Sequence, residues 1–409
     1  MSKKISLGAA IAFMAIVAAL TFSLTTVFSM NNFTDMVYNV RERESMYQKL
    51  AEIDRAVREK YPDPVDETKL MDSVAGGYVG GLSDSYGKYY TAAEYNLHLQ
   101  SQEGKYVGIG VVPQIDPSGY LYIKEVYPES PAYNAQIMAG DLIIKIDEAD
   151  LTPENSQDMM SMLRGDAGTK VALVIRRGTE DIGMEITRRQ VEVPTVYGQN
   201  FDGIGHLRIK NFTDATRDQF NKQLNKLLSE GVGAVAIDLR DNSGGSTRAM
   251  SAVLDLLVGS GDIVHAKYKG GRIEVLASSG ESQINIPMVV LTNEKTQNTA
   301  EHFAQVLKEF GKAKTVGAKT AGQGTVQEFI KLSDGSAINI TVARYISPNG
   351  FVFDKEGVKP DYDVKNASED IYWEQLDPEL DAQLKKALEL AQAGIKVEIA
   401  ENASSQPQQ

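Results

Sequence analysis

Apolar residues recur at helical spacing through NFTDMVYNVRERESMYQKLAEIDRAVREKY, residues 32–61, with Met46, Leu50, Ile53 and Val57 in phase. Pro62 and Pro64 stop that helix, and ETKLMDSVAGGYVGGL predicts a second one, weakened by its glycines. Together they predict a helical arm over 33–102, able to pack on its own domain or to pair with a second copy. The period then shortens. GKYVGIGVVPQI and YLYIKEVYPESPAYNAQIMAGDLIIKIDEADL carry alternating or continuous apolar runs at Val111–Ile115, Leu121–Val126 and Asp141–Ile146, which predict strands. Ser130-Pro131-Ala132 opens a short helix, Gly140-Asp141 closes its exit turn, and LRGDAGTKVALVIRRG and MEITRRQ add two more strands.

From Gly203 the alternation lengthens. IGHLRIKNF reads as a strand, and TRDQFNKQLNKLLSEG as an amphipathic helix with Phe220, Leu224, Leu227 and Leu228 on one face. GAVAIDLRDNSGG reads as a buried strand entering a glycine turn, followed by a helix in STRAMSAVLDLLVGSG. PMVVLTNE and TQNTAEHFAQVLKEFG repeat the pair, and KTVGAKTAGQGTVQ, SAINITVARYISPNG and GVKPDYDV follow. Strands alternating with helices imply a mostly parallel sheet with helices packed against it. One more helix is expected in DPELDAQLKKALELAQAG, and disorder in the closing ENASSQPQQ.

The 409 residues suffice for two or three domains, and their formal charge of −13 argues against nucleic acid, which needs basic patches to neutralise phosphates. There is no cysteine, so disulfides, thiolate nucleophiles and Cys-ligated zinc are excluded. The four histidines, His98, His206, His265 and His302, form no HxxxH or HExxH spacing, so neither a metal nor another cofactor is expected. Lys3 and Lys4 precede an uncharged, mostly apolar run from Ile5 to Met30. A bilayer core takes about 20 apolar residues as a helix, whereas a signal-peptide core is usually shorter. The expectation is a single-pass anchor in the cell membrane over 1–32, with the bulk of the chain extracytoplasmic; a signal cleaved after Val27-Phe28-Ser29 is the alternative.

The order of GIG, SPA and AGDLIIKID resembles a PDZ domain over 103–190. Such domains add an extended peptide to an open sheet edge and hold its carboxylate on backbone amides. The resemblance assigns that loop and edge strand to Tyr106, Val107, Gly108, Ile109, Gly110 and Val111. Over residues 45–392 the chain resembles the carboxyl-terminal processing peptidases, or tail-specific proteases, on GLSDSYGKYYTAAEY, the PDZ segment, DLRDNSGG, NEKTQNTAE, GAKTAGQGTVQ, SDGSAINIT and GVKPDYDV. The implied fold is α/β: a transmembrane helix, the helical arm, a β-rich PDZ domain, a crotonase- or Clp-like peptidase domain over 191–365, and a helix with a disordered tail over 366–409.

In that family a serine attacks the peptide carbonyl, a lysine kept neutral by burial takes its proton, and a glutamine orients the lysine. The serine lies in an S-A-S-x-x-E segment. Glu301 fixes the register, so its position is held by Asn298. The lysine lies in T-x-G-K-G-x-V-Q, which reads here Thr320-Ala321-Gly322-Gln323-Gly324-Thr325-Val326-Gln327. The lysine position is therefore Gln323, and the orienting glutamine survives as Gln327. The family's oxyanion amides fall on Gly244, Gly245 and Thr299.

A carboxamide is neither a nucleophile nor a base at neutral pH, and Asn298 with Glu301 three residues on resembles a capping box. The expectation is therefore a pseudoprotease that binds peptides or protein C-termini without cutting, as a homo-oligomer or in mixed oligomers with an active relative. A ligand-carrying role, as in the interphotoreceptor retinoid-binding proteins that resemble the catalytic domain, is conceivable. The alternative is an active serine-type endopeptidase with a non-standard nucleophile, using Thr299 with His302, or Thr296 with Lys319. Ser243 and Ser246 read as turn or cap residues, and Asp238 and Arg240 as the residues that hold the glycine turn.

Overall fold

In the computed structural model, which describes residues 8, 14, 16–19, 21–23, 44–281, 284–366, 371, 373 and 376–404 (without the side chains of 397–404), the run Ala234–Asp238 is buried along its whole length. It is the middle of a six-stranded sheet. Val196–Phe201 pairs antiparallel with Ile204–Ile209, and Ala234–Asp238, Met288–Thr292, Ala313–Gly317 and Tyr362–Asp363 then follow in parallel. Successive side chains of a strand point to opposite faces. Val235 and Ile237 accordingly join the core beneath helices Thr216–Ser229, Thr247–Leu257 and Thr299–Glu309, while Ala234 and Ala236 face helix Ala382–Ser404. A sheet covered on both faces explains why its strands read as continuous apolar runs.

A second, antiparallel sheet is built on Ala337–Ile346, which pairs with Lys88–Tyr90, Gly261–Tyr268 and Thr325–Lys331. The hairpin of Gly261–Tyr268 with Ile273–Ser279 was not expected from the sequence. The C-terminal helix also differs from expectation. It begins at Ala382, where the Asp381 carboxylate accepts the Leu384 amide at 2.9 Å, and it passes through Gly394 to Ser404. Gly394 does not stop it because that glycine lies against a strand neighbour: a Cβ there would stand 2.7 Å from Pro287 Cβ. The first residues of the segment expected to be disordered, 401–404, are thus helical, and 405–409 lie outside the described residues.

The PDZ segment forms an antiparallel sheet in the order Val111–Ile115, Leu121–Val126, Leu142–Ile146, Lys170–Arg177, Glu180–Thr187. Its core is Ile109, Leu121, Ile123, Ile143, Ile146, Val171, Leu173 and Ile175. Ser130 caps the short helix Pro131–Asn134 by accepting the Tyr133 amide at 3.1 Å. Gly110 has φ 86° and lies so close to Ser130 that a Cβ would stand 2.2 Å from Ser130 Cβ, so no other residue fits. The Glu125 carboxylate ties this sheet to the large one, accepting from the Tyr197 hydroxyl at 2.5 Å and Lys210 Nζ at 3.3 Å.

The chain divides into two units, 1–74 and 75–409. In the first, a helix over 44–60 ends before Pro62, and Arg58 pairs with Asp54 at 2.8 Å and Glu67 at 2.7 Å. Most of the anchor expected over 1–32 lies outside the described residues. Among those described, no helix is long and apolar enough to cross a membrane.

Candidate functional site

Ligands of open α/β sheets bind where loops leave the carboxyl ends of parallel strands. Three such loops meet here: 239–246 after Ala234–Asp238, 293–298 after Met288–Thr292, and 318–324 after Ala313–Gly317.

The first loop is anchored by a buried polar chain. His206 Nε2 lies 2.9 Å from Asp238 Oδ2, and the Arg240 guanidinium reaches Asp238 at 2.6 Å and Asp381 at 2.7 Å. Burial alone would raise the Asp238 pKa, but the Arg240 charge and the His206 bond outweigh it and hold the carboxyl well below its usual range. Asp238 and Arg240 therefore hold the turn, as the sequence suggests. Asn242 is a positioning residue that sequence reasoning missed. Its Nδ2 donates to Ile209 O at 2.9 Å and its Oδ1 accepts the Gly244 amide at 2.8 Å. The DLRDN string was its only signal.

That last bond changes the reading of the oxyanion donors. The Gly244 amide is already engaged, whereas the amides of Gly245 and Thr299 have no hydrogen-bond partner among the described residues. Gly245 has φ 138°, and a Cβ there would stand 2.2 Å from Phe212 O. The turn and the helix start abut: a Cβ on Gly244 would lie 3.0 Å from Asn298 Cβ and 3.1 Å from Thr299 Oγ1.

Asn298 stands immediately before helix Thr299–Glu309 with φ 51° and ψ −119°. This strained conformation is of the kind that presents nucleophiles at strand-to-helix turns, and it persists here beneath a carboxamide. Glu301 Oε2 accepts the Asn298 amide at 2.9 Å, as in the expected capping box. The Asn298 side chain also reaches the neighbouring loop. Its Nδ2 donates to the carbonyl oxygens of Gln323 at 3.2 Å and Thr325 at 2.8 Å. Two carbonyl partners can only be served by the amide nitrogen, which fixes the orientation of the group.

Glu301 joins the second and third loops. Besides Asn298, its buried carboxylate accepts from the Thr320 hydroxyl and from the amides of Gly322 and Gln323, both at 2.7 Å. Burial pushes its pKa up, against the pull of these four donors. Gln323 thus has its backbone amide fixed by Glu301 and its carbonyl by Asn298. Gln327 lies on the strand Thr325–Lys331 with its Nε2 buried and without a partner.

The replacement nucleophiles are not assembled. Thr296 Oγ1 is buried and donates to Leu239 O at 2.8 Å. Thr299 Oγ1 is buried without a partner, and no bond joins it to His302. His302 Nε2 instead meets Ile263 O at 2.8 Å, and its ring packs beside Tyr345 and Phe353. Burial lowers the His302 pKa to about 4. Ser246 caps helix Thr247–Leu257 through the Ala249 amide at 3.3 Å, and Ser243 is exposed in the turn. Among the described residues no cluster of three or more His, Cys, Asp or Glu could hold a metal.

The PDZ residues occupy the strand Lys105–Gly108, the turn after it and the start of Val111–Ile115, beside a cleft of about 790 Å³.

Comparison with known proteins agrees with this architecture. Residues 203–364 match Peptidase family S41, and residues 122–177 match a PDZ domain. The chain is 29% identical over 352 residues to the carboxy-terminal processing protease CtpA of Bacillus subtilis (strain 168), covering 85% of this chain and 75% of that one. It is 29% identical over 342 residues to the carboxyl-terminal-processing protease of Picosynechococcus sp., covering 82% of each. Among solved structures, the photosystem II D1 C-terminal processing protease aligns with a TM-score of 0.45 and 25% identity over 77% of this chain and 86% of that one. The chain therefore carries a Peptidase family S41 domain and a PDZ domain, and along most of its length it is similar to carboxyl-terminal processing proteases.

Proposed function

We propose that this chain is a pseudoprotease: it grips extended peptides or protein C-termini in an S41 cleft and does not cut them. The observation that carries the reading is the pair of bonds from Asn298 Nδ2 to Gln323 O and Thr325 O. They put a hydrogen-bond donor, engaged and unreactive, where the family's resemblance asks for a free hydroxyl. Gln323 supplies no basic lone pair at the neighbouring position. Losing a nucleophile alone has cost about a millionfold in turnover in a serine protease.

Binding is a different matter. The amides of Gly245 and Thr299 survive any side-chain change, and they suit a ligand carbonyl or terminal carboxylate. The run Ile5–Met30 supports an anchored, extracytoplasmic protein that holds tails near the membrane surface, alone or beside an active relative.

Fluorophosphonate labelling tests the reading. The purified chain stays unlabelled while an active S41 peptidase in the same tube is labelled. Labelling at Thr296 or Thr299, lost on substitution of that threonine, overturns it.

A further inference from the structure

The strand Ile204–Ile209 carries a cation that nothing in the chain neutralises. Leu207 and Ile209 join the core beneath helix Thr299–Glu309, so by alternation His206 and Arg208 point to the other face of the sheet. His206 is engaged there by Asp238. Arg208 is half-buried, and among the described residues no hydrogen bond or ion pair engages its guanidinium; its Nε is enclosed and without a partner. Arg240, just past the end of the neighbouring strand, is served by both Asp238 and Asp381.

A ring holds the Arg208 head in place. The guanidinium carbon lies 3.3 Å from the centre of the Trp373 ring. Stacking covers one face of the fork and leaves its in-plane N–H groups unserved. Burial pulls the Arg208 pKa down, against Asp238, Tyr197, Asp241 and Glu125, none of which bonds to it. A desolvated charge without a partner is costly, and a carboxylate is the group a guanidinium fork matches in two parallel bonds.

Arg208 and Trp373 line a cavity of about 470 Å³, within the range of small-molecule sites. Lys124 and Lys210 line it too. Glu125 is the one carboxylate among the described lining residues, and it is already shared between the Tyr197 hydroxyl and Lys210 Nζ. Three cations against one acid run counter to the −13 charge of the whole chain. Val126, Ala139 and Leu376 supply an apolar wall.

We propose that this cavity binds a small organic acid, with its carboxylate on the in-plane N–H groups of Arg208 beside Lys124 and its apolar body against Val126, Ala139 and Leu376. The lining comes from the PDZ strand Leu121–Val126, from two strands of the large sheet and from the segment that carries Trp373. The acid therefore fastens the PDZ domain to the peptidase sheet. The site lies on the sheet face opposite helix Thr299–Glu309, and the proposal stands whether or not the peptidase loops cut.

Isothermal titration of the full chain with hexanoate, phenylacetate, hexanamide and inorganic phosphate tests it. At least one of the two acids saturates a single site. Hexanamide, which keeps the tail and loses the charge, does not. Arg208→Gln weakens binding of the acid about tenfold or more, the loss of a charge-assisted pair. Arg208→Lys keeps the charge without the fork and falls between. Ala139→Trp fills the cavity from its exposed rim and blocks binding with Arg208 still in place. Thermal unfolding of each variant without ligand checks that the fold is kept. Equal affinity in the original chain and Arg208→Gln, equal binding of hexanamide and hexanoate, tighter binding of phosphate than of both acids, or no saturable binding of either acid overturns the proposal.

Discussion

The side-chain nitrogen of Asn298 donates to the carbonyl oxygen of Thr325 across 2.8 Å, and so ties the helix start at Thr299 to the strand that leaves the glycine loop. Asn298 is here a structural clamp between two loops.

The clamp has a stability signature. Asn298→Ala removes both bonds to the third loop and leaves two carbonyls without a donor, which costs about 1–3 kcal/mol. Asn298→Asp is worse, because it turns an acceptor-only group toward two carbonyl oxygens; the cost is about 3 kcal/mol or more. Urea unfolding of both variants checks the order. An Asp variant as stable as the original chain would contradict the geometry.

Glu301 carries more of the junction than Asn298 does. Glu301→Ala strands the amides of Asn298, Gly322 and Gln323 and the Thr320 hydroxyl in a buried site. The expected loss is about 3 kcal/mol or more, since each donor left unsatisfied in a buried site costs about 1–3 kcal/mol. Glu301→Gln loses less, since one of its atoms still accepts. Hydrogen exchange in 318–324 reports the same change locally: protection falls in Glu301→Ala and is largely kept in Glu301→Gln.

His302 gives the fold a pH dependence. Its Nε2 meets Ile263 O and its Nδ1 is buried without a partner, so protonation would create an N–H with nowhere to point. With a folded pKa of about 4 against an unfolded value near 6.5, the unfolded chain takes up the proton first as pH falls. This contribution to stability is whole above pH 6.5 and declines between there and pH 4. Asp238, whose pKa is depressed, contributes stability that is lost only below the ordinary carboxylate range, so the two windows separate. His302→Phe, measured by urea unfolding at pH 6.5 and 4.5, loses more than half of the difference seen in the original chain. An unchanged difference would place the acid sensitivity elsewhere.

Much of this arrangement was legible in the chain. Val235 and Ile237 alternate with Ala234 and Ala236 on a strand buried on both faces, and the sequence shows it as one apolar run. Asn298 before Thr299, with Glu301 three residues later, reads as a helix start, and a helix starts there. What could not be read were contacts set by tertiary proximity. Arg240 meets Asp381 across 141 positions, and no local pattern announces that pair. That the Asn298 side chain reaches the neighbouring loop, besides starting its own helix, depends on the approach of Gln323 and Thr325. The helix expected to end at Gly394 runs on to Ser404, with Gly394 packed against Pro287.

The most direct measurement compares cleavage of a tail peptide by the original chain, by Asn298→Ser, by Gln323→Lys and by the double variant. The original chain and both single variants leave the peptide intact. The double variant cleaves it, because the amides of Gly245 and Thr299 are left without a partner to serve an oxyanion. Cleavage by the original chain, surviving in Asn298→Ala, would contradict the account.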